Sequence, residues 1–189
     1  MVKRLSEDKK LAHYCTYQIE DAGVSIGVDE SLTQDRYIGI KLDDFYAGLE
    51  LGNEQPKAVD FVVTVDCRGD WYNLYVLELK GGKNKNYSTE DIYEKYDTAV
   101  NDFLKVRYES VFCDDRYKYR NVYLYLVATT PFAALKYHSY EEYLRIRNRI
   151  NARDTLSLDA EFPKVFLISC MLLHKKPSIL AGKLIWTVF

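Results

Sequence analysis

The sequence predicts a mixed α/β protein, with a central β-sheet of antiparallel and parallel strands flanked by helices. Three observations predict it. Hydrophobic runs of strand length recur as YIGIKL, AVDFVVTV, LYVLELK and VYLYLVAT. The second and third are joined by CRGDWYN, whose Gly69-Asp70 pair is a natural turn, so the sheet begins antiparallel. A long segment of helical period then separates the third run from the fourth, which allows the chain to return in parallel.

The elements follow in order. RLSEDKKLAHYC predicts a helix near residues 4–15, and GVSIGVDESLTQD is a connection without a clear period. A strand centred on residues 38–42 precedes a polar bend at Asp43-Asp44, and strands follow at 58–65 and 74–80. From Ser88 the period changes. Ser88 and Asp91 resemble a capping box. Ile92, Tyr96, Ala99, Val100, Phe103 and Leu104 then share one face, predicting a helix over 89–109. A strand is expected at 122–129, ended by Pro131, and a helix at 139–152 with Tyr140, Tyr143, Leu144 and Ile150 inward. Residues 164–173 and 183–189 are further strand candidates.

Composition narrows the classes. With 189 residues, 48% of them hydrophobic and 29% charged, the chain suits a single domain with a real core. No run approaches the ~20 apolar residues of a membrane span, and no apolar stretch follows the basic residues of MVKRLSEDKK, so neither a span nor a signal peptide is expected. Cys15, Cys67, Cys113 and Cys170 are far apart and form no CxxC pair, which suits thiols of a cytoplasmic protein. A net charge of -2 does not advertise a nucleic-acid binder, although local basic clusters can still contact phosphate. His13, His138 and His174 have no companion at ligand spacing, and neither a GxSxG elbow nor a GxxxxGK[ST] loop is present.

The chemistry concentrates in the second and third strands. Period-two alternation puts Val59, Phe61, Val63 and Val65 on one face and Asp60 on the other, while Glu78 and Lys80 share a face with Val76. If the hairpin pairs symmetrically about Gly69, Asp60 stands directly across from Glu78, at the ~5 Å Cβ spacing of cross-strand neighbours. Two carboxylates that close repel unless a proton or a cation lies between them. A hard divalent ion is one solution, since Mg²⁺ takes one or two carboxylates and completes its shell with water and phosphate oxygens. Lys80, one strand repeat beyond, could then polarise an attacking water and offset charge growing on a phosphate.

Asp60, followed after seventeen residues by Glu78-Leu79-Lys80, resembles the PD-(D/E)xK nuclease superfamily of restriction endonucleases and Holliday junction resolvases. The resemblance covers about residues 38–130, leaving 131–189 as a C-terminal extension, and implies a restriction-endonuclease-like core. It further implies Mg²⁺-dependent hydrolysis of DNA, with Mn²⁺ as a substitute. Asp60 and Glu78 would be the acidic metal ligands, Lys80 the catalytic lysine and the backbone carbonyl of Leu79 a further ligand. Family members often add a glutamate from the first helix, for which Glu30 is the first choice and Glu20 the second. Two departures stand out: Val59 replaces the proline before the aspartate, and the helix after Lys80 lacks a glutamine followed four residues later by tyrosine.

Basic residues outside the motif are candidates for the nucleic-acid backbone: Lys83 and Lys85 in KGGKNKN, and Arg145 and Arg149 in RIRNRINAR. The plainer alternatives are a solvated loop and a solvated helix face. A homodimer is expected if both strands of a duplex are cut symmetrically. Two rivals remain: a catalytically inactive descendant serving as a nucleic-acid-binding or assembly subunit, and an unrelated α/β interaction protein whose three charges form a surface ion-pair cluster.

Overall fold

The computed structural model describes residues 1–49, 51, 55–81, 89–128, 165–170, 177–180 and 183–186. Two short elements open the chain, α1 (Val2–Ser6) and a 3₁₀ turn (Ala12–Tyr14), followed by β1 (Cys15–Thr16), β2 (Ile19–Asp21) and β3 (Val24–Val28). Next come β4 (Tyr37–Lys41), α2 (Leu42–Ala47), β5 (Phe61–Asp66), β6 (Trp71–Lys80) and α3 (Thr89–Asp97). A π-helical segment (Thr98–Arg107) continues α3, and α4 (Glu109–Phe112), β7 (Lys118–Ala128), β8 (Val165–Cys170), β9 (Pro177–Leu180) and β10 (Lys183–Trp186) complete the order.

Among the described residues, six strands form a mixed sheet in the order β1-β4-β5-β6-β7-β8. The pairs from β1 to β6 are antiparallel, whereas β6–β7 and β7–β8 are parallel. This is the mixed α/β sheet expected, antiparallel first and parallel after the helical crossover. The hairpin register is also the expected one: Phe61 pairs with Leu77 and Asp66 with Tyr72, symmetric about Gly69. Arg68, Gly69 and Asp70 all adopt positive φ there, a tight reversal that glycine accommodates without strain.

The sheet is covered on both faces. On one, Val62, Val76, Leu74 and Leu124 pack beneath Leu5 of α1, Phe45 and Tyr46 of α2, Tyr96 of α3, and Ala99, Phe103 and Leu104 of the π-helical segment. On the other, Phe61, Val63, Tyr75, Leu77 and Leu79 pack against Ile19, Val24 and Ile26 of the β2–β3 hairpin. That hairpin belongs to a second sheet, ordered β10-β9-β3-β2. Gly39 of β4 lets the hairpin approach, since a Cβ there would collide with the end of Ile19. No helix among the described residues is long and apolar enough to cross a membrane.

Several expectations need correction. The helix over 4–15 breaks after Ser6, because the Asp8 carboxylate accepts the backbone N–H groups of Lys10 (2.9 Å) and Leu11 (3.0 Å). An aspartate bonding its own neighbours in this way competes with the helical ladder. The aperiodic connection contains β3, which pairs with β2 just ahead of it through a turn that places Ala22 at φ 49° and Gly23 at φ 77°. The polar bend at Asp43-Asp44 is instead the first turn of α2, where both carboxylates favour the helix dipole while Phe45 and Tyr46 are buried. The second strand starts at Phe61 rather than at residue 58, so alternation fails at Asp60 and Val59 packs with Val62 and Val76, away from Phe61. The 89–109 helix keeps its predicted inner face but widens at Thr98, and the Tyr108 N–H closes on the Phe103 carbonyl five residues back at 3.0 Å. The helix expected at 139–152 lies outside the described residues.

Candidate functional site

Glu78 is the eighth residue of the ten-residue strand β6, and it points to the helical face that Val76 shares. The residue is fully buried, and a buried carboxylate needs compensation. Two ammonium groups supply it, both at Oε1: Lys80 from the same strand, and Lys95 from α3 with its Nζ at 2.7 Å. Each lysine side chain is about a fifth exposed, so the ammoniums lie where the core meets solvent. The second oxygen, Oε2, has no hydrogen-bond partner among the described residues.

Asp60 sits at the bend just before β5. Its backbone carbonyl accepts the Leu42 N–H at 3.0 Å, which fixes the entry of α2. Its side chain is 5% exposed as a residue, and Oδ2 accepts the backbone N–H of Leu79 across the hairpin. Burial, and then the negative charge of Glu78, push the Asp60 carboxyl up to about 7, against the pull of the Leu79 N–H and of Lys80 and Lys95. The negative charge of Glu78 therefore acts on Asp60 across the end of the hairpin.

Tyr96 stands beside Lys95 on α3 and is fully buried, with a hydroxyl that has no partner among the described residues. Burial raises it well above the usual phenol range, and the charges of Glu78 and Asp60 add to the effect. The hydroxyl thus stays protonated and is a donor beside two carboxyls. An unpartnered carboxylate oxygen and an unpartnered hydroxyl, both buried, are groups that a water or a cation can satisfy.

The surroundings hold these groups in place. Lys57, in the segment leading to Asp60, binds Asp91 (2.6 Å) and Glu94 (2.8 Å) of α3, tying the approach to Asp60 to the helix that carries Lys95 and Tyr96. Gly81, immediately after Lys80, lies under the carbonyl of Ala22, so the β2–β3 turn rests on the end of β6. Asp43 of α2 is exposed at the rim, yet surrounding protein raises its carboxyl while Lys95 pulls it down.

Sequence reasoning brings Asp60, Glu78, Leu79 and Lys80 together, and the geometry does the same. Leu79 contributes its N–H to Asp60. Glu30 is exposed after β3 and Glu20 is exposed on β2. Lys83, Lys85, Arg145 and Arg149 lie outside the described residues. Lys57 and Lys95 were missed, as was the placement of Tyr96 beside the acidic pair. Lys95 follows Ile92 by three residues, at the edge of the predicted inner face, which is the one signal that could have flagged it.

No group of three or more Asp, Glu, His or Cys side chains that could hold a metal occurs among the described residues. The donors available are therefore the Asp60–Glu78 pair, supplemented by water and substrate oxygens. Such a set fits a hard divalent cation that keeps much of its hydration, and the unpartnered Oε2 of Glu78 is an oxygen it could use. Chemically, two carboxyls with adjacent ammoniums can hold a cation and stabilise an anion beside it. No protein-family model, curated protein or solved structure matches this chain.

Proposed function

We propose that this protein is a divalent-cation-dependent nuclease of the PD-(D/E)xK type, with a restriction-endonuclease-like core, that hydrolyses phosphodiester bonds in DNA. The supporting observation is the convergence of Asp60, Glu78 and Lys80 at one end of the β5–β6 hairpin, with the Asp60 carboxyl raised to about 7 by burial and by its neighbour. Asp60 and Glu78 would hold Mg²⁺, or Mn²⁺ in its place. Bound there, the ion would acidify a water and neutralise phosphate charge. Lys80 would hold the attacking water and the phosphate in line, and its ammonium would offset the charge that grows on the non-bridging oxygens. The attacking water would release one proton to solvent as its oxygen bonds to phosphorus, the bond to one ester oxygen would break, and that oxygen would leave with a proton taken from solvent. A second copy of the chain would supply the second cut in a duplex.

One observation favours a different reading. Lys80 and Lys95 already neutralise Glu78, so the same charges could serve as a buried ion-pair cluster in a non-catalytic binding or assembly subunit.

Supercoiled, linear and branched DNA incubated with the protein in Mg²⁺ or Mn²⁺ separates the two, with EDTA and Lys80→Ala as controls. Metal-dependent cutting that disappears in Lys80→Ala is the expected outcome. A folded protein that cuts none of these substrates in either metal sends the weight to the binding role.

A further inference from the structure

Lys80 and Lys95 meet at one oxygen of Glu78, although they come from different elements. Lys80 is bound to this position by its strand, because it shares a face with Glu78 at the two-residue repeat. Lys95 is not. It arrives from α3 to bind Glu78, and its charge acts also on Asp60, just before β5, and more distantly on Asp43 of α2. Its side chain is 21% exposed, which leaves it a route outward. Meanwhile Oε2 of Glu78 and the hydroxyl of Tyr96, both in fully buried residues, lack partners among the described residues.

We propose that Lys95 is the internal counter-ion of this site: it neutralises Glu78 while no cation is bound, and it gives up Oε1 when Asp60 and Glu78 take a divalent ion. This rests on the cation-dependent reading above. The physical ground is exclusion by like charge. An ammonium in hydrogen-bond contact with a carboxylate oxygen and a divalent ion bound to the same carboxylate repel one another at close range in a poorly screened site. The displaced ammonium can turn outward into solvent, since its side chain is already partly exposed, so the exchange leaves no buried charge alone. Lys95 would thereby set the cation concentration at which the site fills.

The test is Mn²⁺ binding to the intact chain without DNA, followed by the electron paramagnetic resonance signal of free Mn²⁺. Wild type, Lys95→Gln and Lys95→Arg are compared, with thermal melts to establish that each is folded. Lys95→Gln should bind Mn²⁺ at least about threefold more tightly than wild type, because it removes the competing charge, while Lys95→Arg, which keeps the charge, should bind no more tightly. Equal or weaker binding by folded Lys95→Gln overturns the proposal, as does tightening in Lys95→Arg to the same degree. Mn²⁺ binding in neither wild type nor Lys95→Gln overturns the cation site itself, and the exchange with it. Tighter binding by Lys95→Gln in a protein that cuts no DNA supports the exchange and counts against the nuclease reading alone.

Discussion

The carboxylate of Asp60 accepts the backbone N–H of Leu79, the residue between Glu78 and Lys80, nineteen positions away along the chain. One hydrogen bond therefore fixes the distance between the acidic residue that precedes β5 and the charged end of β6. Burial and the charge of Glu78 nevertheless oppose the ionisation of Asp60, against the pull of that hydrogen bond.

A pH dependence follows from Asp60. Its carboxyl is raised to about 7 in the folded chain, against about 3.9 when unfolded, so the folded state binds the extra proton between these values. The associated stability is fully present below about pH 4 and is lost as pH rises through about 7. Without divalent ions, stability should fall between pH 5 and pH 8 by a few kcal/mol at most, at about 1.4 kcal/mol per unit. Asp60→Asn should flatten that fall, as measured by urea denaturation at the two values in EDTA.

Cation binding should reverse the loss at high pH. A ligand at ~100 times its Kd adds about 2.7 kcal/mol to the folded state. Mn²⁺ should accordingly raise the melting temperature at pH 8, and neither Asp60→Asn nor Glu78→Gln should respond. An unchanged shift in both variants would place the ion elsewhere.

The two lysines on Glu78 should be non-additive. Lys80→Met or Lys95→Met alone leaves the carboxylate one ammonium and should cost about 1–2 kcal/mol, as loss of one charged hydrogen bond does. The double variant strands a fully buried charge and should cost more than the sum of the two, by a coupling of about 0.5–3 kcal/mol, or force Glu78 to take up a proton. A double-mutant cycle in urea measures the coupling.

Tyr96→Phe removes a buried hydroxyl that has no partner among the described residues. In EDTA the change should cost less than about 1 kcal/mol, or stabilise, because no hydrogen bond within the described protein is lost. A loss of 2 kcal/mol or more would reveal a tightly held water on that hydroxyl.

Gly81→Ala should destabilise by about 1–3 kcal/mol, because the new Cβ meets the carbonyl of Ala22 rather than a movable side-chain end. Comparing it with Gly23→Ala at the tip of the same hairpin separates the clash from backbone strain, since a Cβ at Gly23 meets nothing within 4 Å but sits at φ 77°.

What was legible in the sequence was whatever local period and turn chemistry dictate. Gly69 fixed the hairpin register from Phe61–Leu77 to Asp66–Tyr72, and the same register carries Asp60, just before β5, to the end of β6 where its carboxylate meets the Leu79 N–H. The helical face from Ile92 to Leu104 was equally plain, because six apolar positions agree. Local rules failed where tertiary contacts decide. Asp43 and Asp44 read as a bend, and only the burial of Phe45 and Tyr46 against the sheet makes that stretch a helix. The β2–β3 hairpin was lost because its turn, Asp21-Ala22-Gly23, puts an alanine at positive φ, a position where composition gives no warning. Lys95 was missed for a similar reason: its partner Glu78 is seventeen positions away, and only the packing of α3 on β6 joins them.

The parallel pairing of β6 with β7 carries one more consequence. Glu78 stands beside Leu126 and Lys80 beside Ala128, so both strands end at the same rim, where the charged groups are. In parallel sheets the rim beyond the carboxyl ends is where ligands are met. The polypeptide leaving Lys80 and the polypeptide leaving Ala128 both start from that rim, while the sheet's packing lies behind it. The charged end of β6 is thereby held from both sides, by the β7 ladder on one and by the Asp60–Leu79 hydrogen bond on the other, so its spacing is set by three stretches of chain at once.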